Sequence, residues 1–341
     1  MQLNYWDANK GVVILLQYKG VVILQLAMYN VIMKCLLCNE QISRGIAHYG
    51  LHLRCYRKVF NESKYLEFKS LNRLTIESEK SDSYMNSFFI GKFRKYEAKL
   101  NNVKYILKFQ ESSWPELVPV EYFCNKLGDA LGVFVAKGYA VIEFQGEHVY
   151  IVRNFMQDLA APNNLEHIYH HVKEGQKNFN VENIANSIMR ETGSIIEVEK
   201  FLYGILYDSL IGNHDRHGRN LGIIKSGAKT KLAPIYDNVS VLGIEEGPLL
   251  EADWDPKGKI YTADSEEPGI KNYVKELRRL EFENIVRKFY NKLSRIDLDQ
   301  ILESAPLLSD RMRNALKRLI NKRRSEFYEE YNCERIQSKQ N

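Results

Sequence analysis

Two segments in the second half of the chain carry side chains suited to phosphoryl transfer. Residues 211–220 read IGNHDRHGRN, which places Asp215 five positions before Asn220, and Asp237 follows within APIYDN at 233–238. A carboxylate can orient an attacking hydroxyl, and a second carboxylate with an amide carbonyl supplies the hard oxygen ligands that Mg²⁺ prefers. Because Asp and Asn also populate turns, this spacing taken alone favours a loop held by side-chain caps and turn hydrogen bonds.

A strand and a helix further upstream offer the cation that phosphates require. Lys108 lies within YILKF (105–109), an apolar segment typical of a strand, and Glu121 follows near the start of a predicted helix over 116–131. A strand lysine paired with a helix glutamate positions nucleotide phosphates in kinases. Taken singly, Lys108 would be a surface strand residue and Glu121 a solvated helix residue. The order Lys, Glu, Asp, Asn, Asp along one chain favours phosphoryl transfer.

Five motifs in this order resemble the HipA-like serine/threonine kinases, which include the HipA and HipT toxin kinases and the compact CtkA-type kinases. They read YILKF, PVEYFCNKLGDALG, VYIVRNF, LIGNHDRHGRNLGII and LAPIYDN, and the resemblance covers roughly residues 85–330. The most specific part is D-x-H-x-x-N followed by the YD pair. The resemblance implies an α+β, bilobal protein-kinase-like fold with a β-rich N-lobe and a helical C-lobe. It also implies an enzyme that uses ATP and Mg²⁺.

The resemblance implies roles for the residues of the central motifs. Asp215 would be the catalytic aspartate, and Asn220 and Asp237 would be the magnesium ligands. The DRHxxN string also resembles the catalytic loop of phosphoinositide lipid kinases, which share this fold. The same resemblance therefore leaves a lipid kinase as an alternative activity.

The resemblance also implies a nucleotide site between the two lobes. Lys108 would bind the phosphates, with Glu121 as its partner. Arg153 and Phe155, at the end of VYIVRNF, would be hinge positions that contact adenine mainly through their backbone.

The phosphate-binding loop departs from the protein-kinase pattern. The motif G-x-G-x-x-G is absent, and near the first predicted strand pair the sequence offers Gly91 preceded by Ser81, Ser83 and Ser87. HipA-like kinases use a different loop, and some of them phosphorylate a serine in it, which ejects the loop and inactivates the enzyme. By position, the resemblance makes these three serines candidates for autophosphorylation.

The resemblance further implies macromolecular partners. Toxin kinases of this type often act on aminoacyl-tRNA synthetases and pair with a helix-turn-helix antitoxin. Residues 238–268 carry eight acidic side chains, and such a segment would repel a polyphosphorylated lipid head group. A protein substrate is therefore favoured over a lipid. A catalytically inactive kinase-like binding module is the other alternative, although the complete Lys–Glu–Asp–Asn–Asp set argues against it.

A cysteine and histidine cluster lies near the start of the chain. Cys35-x₂-Cys38 and His52-x₂-Cys55 form two close pairs separated by 13 residues. Structural zinc takes four N or S ligands, usually as two such pairs. His48 is an alternative ligand, and reduced core thiols are the alternative interpretation. We expect a structural Zn²⁺ without a catalytic role.

The elements that must position these side chains change character along the chain. Residues 63–83 are polar and charged, which is typical of a connector. Alternating apolar residues predict strands over 84–109, as SFFIGKF (87–93) and VKYILKF (103–109) joined by a polar turn, and further strands over 134–155. Residues 181–211 and the chain from Asn272 to about Glu330 have a helical pattern. Cys124, on the helix predicted over 116–131, is expected to be a core residue. We expect five segments: an apolar N-terminal extension (1–32), a zinc-knuckle-like segment (33–62), the N-lobe (63–155), the C-lobe (156–330) and a tail (331–341).

The N-terminal extension contains the string KGVVIL twice, at 10–15 and 19–24. The repeat predicts two strands, or a segment that precedes a natural start at Met33. A membrane-spanning helix is the remaining alternative, since residues 11–33 are largely apolar, although Lys19 and several amides interrupt the run. No small-residue cleavage site of the A-x-A kind follows it.

Composition excludes several classes of protein. The 341 residues are 45% hydrophobic and 27% charged, with a net formal charge of +5, which argues against disorder, collagen-like repeats and a polytopic membrane protein. The charge surplus is too weak to indicate nucleic-acid binding by itself. Five cysteines in a chain of this length do not suggest a disulfide framework. We expect a bacterial cytoplasmic protein with no direct membrane partner, with export as an effector as the alternative.

Overall fold

The computed structural model describes residues 33–42, 47–74, 93–159, 162–173, 175–245, 247–253 and 255–337, together with three short strands near the N-terminus. Only the backbone is described for these three strands and for residues 176, 247 and 334–337. The strands are β1 (Leu3–Asn4), β2 (Val13–Tyr18) and β3 (Val21–Leu26), and they form an antiparallel sheet. The two longer strands overlap the two KGVVIL copies, which agrees with the strand prediction. Nowhere in the described chain is a helix both long and apolar enough to span a membrane.

A small hairpin and a helix follow. Strands β4 (Met33–Lys34) and β5 (Gln41–Ile42) pair antiparallel, and helix α1 (Leu53–Phe60) comes after them. The two predicted zinc-ligand pairs lie in the turn of this hairpin and at the start of this helix. This unit, residues 33–60, is called the knuckle below.

The β-rich lobe is an antiparallel sheet of five strands in the order β6-β7-β8-β10-β9. The strands are β6 (Lys69–Arg73), β7 (Lys95–Leu100), β8 (Val103–Phe109), β9 (Ala140–Phe144) and β10 (Glu147–Arg153). Helix α2 (Leu117–Leu131) connects β8 to β9, and it confirms the helix predicted over 116–131.

Two details of this lobe differ from the sequence prediction. Residues 63–83 were expected to be a polar connector, but β6 within them pairs with β7 as an edge strand. Its sequence KSLNR gives no apolar alternation, since its side chains are mostly exposed and the backbone makes the pairing. The strand predicted over SFFIGKF (87–93) lies almost wholly outside the described residues, and the strand before the Asn101–Asn102 turn is β7.

Both faces of this sheet are covered, which explains why β8 is apolar on both sides. Alternate residues of a strand point to opposite faces. Tyr105, Leu107 and Phe109 pack in one hydrophobic cluster with Tyr56 and Phe60 of the knuckle. Ile106, on the other face, belongs to the cluster that contains α2. The knuckle therefore covers the outer face of the sheet, and the face that carries Lys108 is turned towards α2.

The second lobe is mainly helical, as predicted. Its helices are α3 (Val181–Thr192), α4 (Ile195–Ile211), α5 (Ile270–Arg279), α6 (Glu283–Leu293), α7 (Leu298–Glu303) and α8 (Asp310–Gln337). A three-stranded antiparallel sheet accompanies them: β11 (Asn163–His167), β12 (Gly222–Ser226) and β13 (Lys229–Leu232). The predicted helical stretch over 181–211 is two helices, because Gly193 takes a left-handed conformation (φ +63°) and ends α3.

Helices α2 and α4 join the two lobes. Both are buried along almost their whole length, and two tyrosines of α4 donate hydrogen bonds to backbone carbonyls of α2. Tyr207 Oη donates to Cys124 O at 2.6 Å, and Tyr203 Oη donates to Leu131 O at 2.8 Å. Cys124 is fully buried, as predicted for a core residue. The architecture is the bilobal α+β fold expected from the sequence, whereas the five segment boundaries stay predictions.

Candidate active site

Three charged side chains that are far apart in the sequence meet between the lobes. Lys108 Nζ of β8 contacts both Glu121 Oε1 of α2 and Asp237 Oδ1 of the segment after β13. Lys108 is 7% exposed and Glu121 is 3% exposed. Burying charged groups is costly unless they are paired. The two carboxylates overcome the effect of burial on the ammonium group and raise the pKa of Lys108, which is therefore a cation at neutral pH.

A second lysine joins this group. Lys95 of β7 lies directly opposite Lys108 in the sheet, and its Nζ is 3.2 Å from both carboxylate oxygens of Asp237. Burial and the nearby Lys108 lower the pKa of Lys95, and Asp237 opposes this shift. Two lysines therefore face two carboxylates at a site where Lys95, Lys108 and Glu121 are buried and the Asp237 side chain is partly exposed. Sequence analysis missed Lys95.

Asp237 is held in a constrained backbone conformation. Its φ is +54°, in the left-handed region that non-glycine residues seldom adopt. Burial would raise the pKa of its carboxyl, but Lys108 and Lys95 outweigh burial and hold the pKa well below its usual range. The carboxylate is thus ionised and its two oxygens are directed at the lysines. Strained residues of this kind cluster at functional sites.

The loop that carries Asp215 starts where α4 ends. Gly212 has φ +67°, and a Cβ there would come within 2.8 Å of Pro256 Cγ, so a glycine is required for this turn. Asn213 Oδ1 then accepts a hydrogen bond from the backbone N–H of Asp215 at 3.1 Å. The Asp215 side chain itself is 63% exposed.

Asn220 closes this loop from its far end. Its Nδ2 donates to the carbonyl of Asp215 at 2.5 Å, and its Oδ1 accepts from the backbone N–H of His217 at 2.8 Å. Asn220 therefore stabilises the loop in the way that the capping interpretation requires. A carbonyl oxygen has a second lone pair, so Oδ1 can still ligate a cation.

Arg216 fastens the loop to the segment that holds Asp237. It is 3% exposed, and its guanidinium makes two hydrogen bonds to Asp208, at 2.8 and 2.9 Å. It also donates to the carbonyls of Asn220, at 2.9 Å, and Tyr236, at 2.7 Å. One further bond joins Arg216 to Asn238 Oδ1 at 2.6 Å. Sequence analysis did not assign Arg216 this role.

The network continues across the lobes. Asn238 Nδ2 donates to Asn125 Oδ1 of α2 at 2.8 Å, and Asn125 in turn contacts the hydroxyl of Tyr150 on β10. The Tyr150 ring lies 5.6 Å from Lys108 Nζ. Buried hydrogen bonds therefore run from the Asp215 loop to the strand beside Lys108.

Comparison with known proteins identifies the family of this chain. The family model described as the HipA-like C-terminal domain matches residues 78–297. The chain belongs to this family. No curated protein matches the sequence.

Two solved structures are similar to this HipA-like chain. The crystal structure of the Helicobacter pylori proinflammatory kinase CtkA has a TM-score of 0.59 and 16% identity, over 72% of this chain and 95% of that chain. HipA of the Shewanella oneidensis MR-1 toxin–antitoxin system, in complex with HipB and its operator DNA, has a TM-score of 0.49 and 16% identity, over 65% and 57%. The first similarity shows a shared kinase-like fold.

The two predicted hinge residues of the HipA-like chain lie where the lobes join. Arg153 ends β10, and its side chain pairs with Asp158 at 2.7 Å. The Phe155 ring lies 6.0 Å from the ring of Tyr236, the residue before Asp237. Both residues therefore lie on the path between the lobes, and adenine contact by either stays a prediction. Ser81, Ser83 and Ser87 lie outside the described residues.

The histidines near the loop lack the pattern of a metal site. His217 Nδ1 accepts a hydrogen bond from the N–H of Arg219 at 3.1 Å, and burial lowers the pKa of His217. His171 lies between Glu166 and Glu191, at 3.1 and 3.2 Å. Across the described residues, one group of side chains meets the geometry expected of a metal site, and it is the cluster in the knuckle.

The four predicted zinc ligands converge in the knuckle. One ligand atom from each of Cys35, Cys38, His52 and Cys55 lies within 4.8 Å of the others, and all three thiols are free. The Nε2 of His52 lies 3.0 Å from Gln41 O, and its Nδ1 lies 3.4 Å from Cys38 Sγ. If Nε2 carries the proton, Nδ1 presents a lone pair to the cluster, which is how zinc-binding histidines are usually oriented.

The pKa shifts of the thiols are also those expected of a site that can hold a cation. Burial would raise the pKa of Cys35, but backbone N–H groups outweigh burial and lower it. Burial and the neighbouring thiols raise the pKa of Cys55 to about 12. Several thiolates in so small a space repel one another, and a dication would remove this repulsion. His48, the alternative ligand, instead contacts Leu66 O at 2.9 Å.

Proposed function

We propose that this HipA-like protein is an ATP- and Mg²⁺-dependent serine/threonine protein kinase. The observation that carries the proposal is the buried contact of Lys108 with both Glu121 and Asp237. A lysine in this position joins the strand, the helix and the magnesium-binding segment, which is the arrangement that phosphoryl transfer uses to position a nucleotide.

The nucleotide would lie over the lysine pair. Lys108 and Lys95 place two amino groups on one face of the sheet, and Asp237 and Asn220 supply the carboxylate and amide oxygens that suit Mg²⁺. Bound there, Mg²⁺ would neutralise phosphate charge. Phe155 and Arg153 would lie beside the base.

Asp215 would orient the acceptor hydroxyl. Its carboxylate is largely exposed, so a substrate can reach it. Asn213 and Asn220 hold the backbone of Asp215, which fixes the position from which the side chain extends. Arg216 keeps this loop in register with Asp237. Holding the reactants in place in this way supplies much of the rate enhancement in phosphoryl transfer.

The acceptor would be a protein. The acidic side chains of residues 238–268 favour a basic or nucleic-acid-binding protein surface over a phosphorylated lipid. An aminoacyl-tRNA synthetase as substrate, a helix-turn-helix antitoxin as partner and a role in a toxin module stay predictions. Autophosphorylation of Ser81, Ser83 or Ser87 stays one as well.

The knuckle would bind one structural Zn²⁺ through Cys35, Cys38, His52 and Cys55. Since the knuckle packs on the outer face of the β-rich lobe and not towards Lys108, the metal would stabilise that lobe and take no part in the transfer.

Transfer of labelled phosphate from [γ-³²P]ATP tests the proposed kinase activity. The acceptors are the chain itself and myelin basic protein, with and without Mg²⁺, and mass spectrometry locates the label. We expect Mg²⁺-dependent transfer that Asp215→Asn abolishes and that Asp310→Asn, a change at an exposed aspartate of α8, leaves intact. An active Asp215→Asn variant, or a wild-type protein that transfers nothing to either acceptor, would contradict the proposal.

A further inference from the structure

A lysine from a distant segment lies on the proposed catalytic aspartate. Lys259 Nζ is 3.2 Å from Asp215 Oδ1, although 44 residues separate the two in the sequence. Both side chains are more than half exposed. An exposed ion pair of this kind contributes only about 0–1 kcal/mol to folding stability, so stability does not account for its position.

The backbone on both sides of Lys259 is anchored. Gly258 N–H donates to Pro268 O at 2.9 Å, and a Cβ on Gly258 would lie 2.0 Å from the hydroxyl oxygen of Tyr273. That same hydroxyl donates to the carbonyl of Ile260 at 3.0 Å. Close contact with Tyr273 therefore fixes both neighbours of Lys259, and the lysine projects from a rigid segment.

The backbone that follows Lys259 is also held by hydrogen bonds. Tyr261 N–H donates to Phe179 O at 3.1 Å, and Val181 N–H donates to Tyr261 O at 2.9 Å. The segment is thereby tied to the start of α3. A short, doubly anchored segment can hold a charged side chain beside a reacting group with little loss of entropy during the reaction.

The distribution of charge in the site suggests a role for Lys259. Lys108 and Lys95 face Asp237 and Glu121, whereas Asp215 is a carboxylate on the side where the acceptor would approach. A negatively charged phosphoryl group moving towards that carboxylate meets repulsion, and a nearby cation offsets it. The imidazole of His217 lies 3.8 Å from Asp215 Oδ2, and burial lowers its pKa although Asp215 opposes this shift.

We propose that Lys259 is a catalytic residue that pairs with Asp215 in the resting enzyme and moves its contact to the γ-phosphoryl group during transfer. This inference rests on the proposed kinase function. The acceptor oxygen forms a bond to the γ-phosphorus while the bond from that phosphorus to the β–γ bridging oxygen breaks. ADP keeps the electron pair of the broken bond, and Asp215 takes the proton of the acceptor hydroxyl. Lys259 stays protonated throughout and changes only its hydrogen-bond partner.

The test compares Lys259→Met and Lys259→Arg with the wild type. Lys271→Met is the matched control, since Lys271 of α5 forms a similarly exposed pair, with Glu329 of α8 at 2.7 Å. Phosphate transfer from [γ-³²P]ATP to myelin basic protein gives kcat and the KM for ATP, and the melting temperature checks the fold. We expect Lys259→Met to lower kcat by about 100- to 1,000-fold, with KM changed less than about threefold. Lys259→Arg should restore at least a tenth of the wild-type kcat, and Lys271→Met should match the wild type.

The outcomes separate this inference from the function on which it rests. An active wild type with a Lys259→Met kcat within threefold of it overturns the role of Lys259 alone. A Lys259→Met variant faster than the wild type also overturns it, and would make Lys259 an inhibitory cap on Asp215. A wild type that transfers nothing overturns the kinase function and this inference with it.

Discussion

Replacing Arg216 by methionine would remove the guanidinium that joins the Asp215 loop to the segment holding Asp237. Arg216 makes five hydrogen bonds, all of them buried, and two of these go to Asp208. Without Arg216, Asp208 keeps the bond that Asn213 Nδ2 donates at 2.9 Å, but it loses its countercharge. Breaking a buried ion pair by removing one partner costs about 3–5 kcal/mol. We expect the free energy of unfolding of Arg216→Met to fall by this amount.

Urea titration followed by circular dichroism measures this loss. Arg216→Lys keeps the charge but not the planar fork that reaches four partners, so its loss should be intermediate. Arg287→Met, at an exposed position of α6, should stay within about 0.5 kcal/mol of the wild type. Because the loop would also lose its register with Asp237, phosphate transfer by Arg216→Met should fall at least 100-fold under conditions where the variant is folded. A loss below about 1 kcal/mol, together with an unchanged transfer rate, would refute the assignment of Arg216 as the positioning residue.

Three further predictions follow from the same contacts. The purified chain should contain one zinc by elemental analysis. Cys38→Ser should lose this zinc, and its Tm should be about 10 °C below that of the wild type. A wild type that contains no zinc and has the same Tm as Cys38→Ser would refute this prediction. Lys95→Met should weaken ATP·Mg²⁺ binding about 30-fold in calorimetry, since truncating one partner of a buried charge pair costs about 2 kcal/mol or more, and unchanged affinity would exclude Lys95 from the site. The pKa of Asp237 is depressed in the folded state, so its contribution to stability is complete above the unfolded pKa of about 3.9 and is lost as pH falls through the folded value. Urea unfolding between pH 6 and pH 2 should therefore show a smaller acid loss for Asp237→Asn than for the wild type, and equal losses would contradict the depressed pKa.

The position of Lys95 opposite Lys108 could have been predicted from the sequence. The two-residue turn at Asn101–Asn102 fixes the register of β7 and β8, and that register places Lys95 opposite Lys108. A turn of known length determines which residues face each other across a hairpin. The strand was expected too early in the chain, over 87–93, so this pairing could not be drawn from it.

Other features depend on contacts that local sequence patterns do not contain. The order and spacing of Asp215, Asn220 and Asp237 indicated the site because the first two lie in one short segment and the third follows 17 positions later. By contrast, the burial of Arg216 and the position of Lys259 follow from how loops pack over long sequence separations. Strand β6 was missed for a related reason, since an exposed edge strand is defined by backbone pairing and its side chains have no apolar alternation.

We propose that Lys108, Glu121 and Asp237 form a nucleotide and magnesium site. Thermal unfolding of the wild type and of Asp237→Asn with ATP, with and without Mg²⁺, tests it most directly, because a ligand that binds the folded state raises the Tm by an amount that grows with the logarithm of its concentration relative to its Kd. We expect saturating ATP with Mg²⁺ to raise the Tm of the wild type by several degrees, with a smaller rise for ATP alone. In Asp237→Asn the added effect of Mg²⁺ should be absent. A wild-type Tm that ATP and Mg²⁺ leave unchanged would contradict the account.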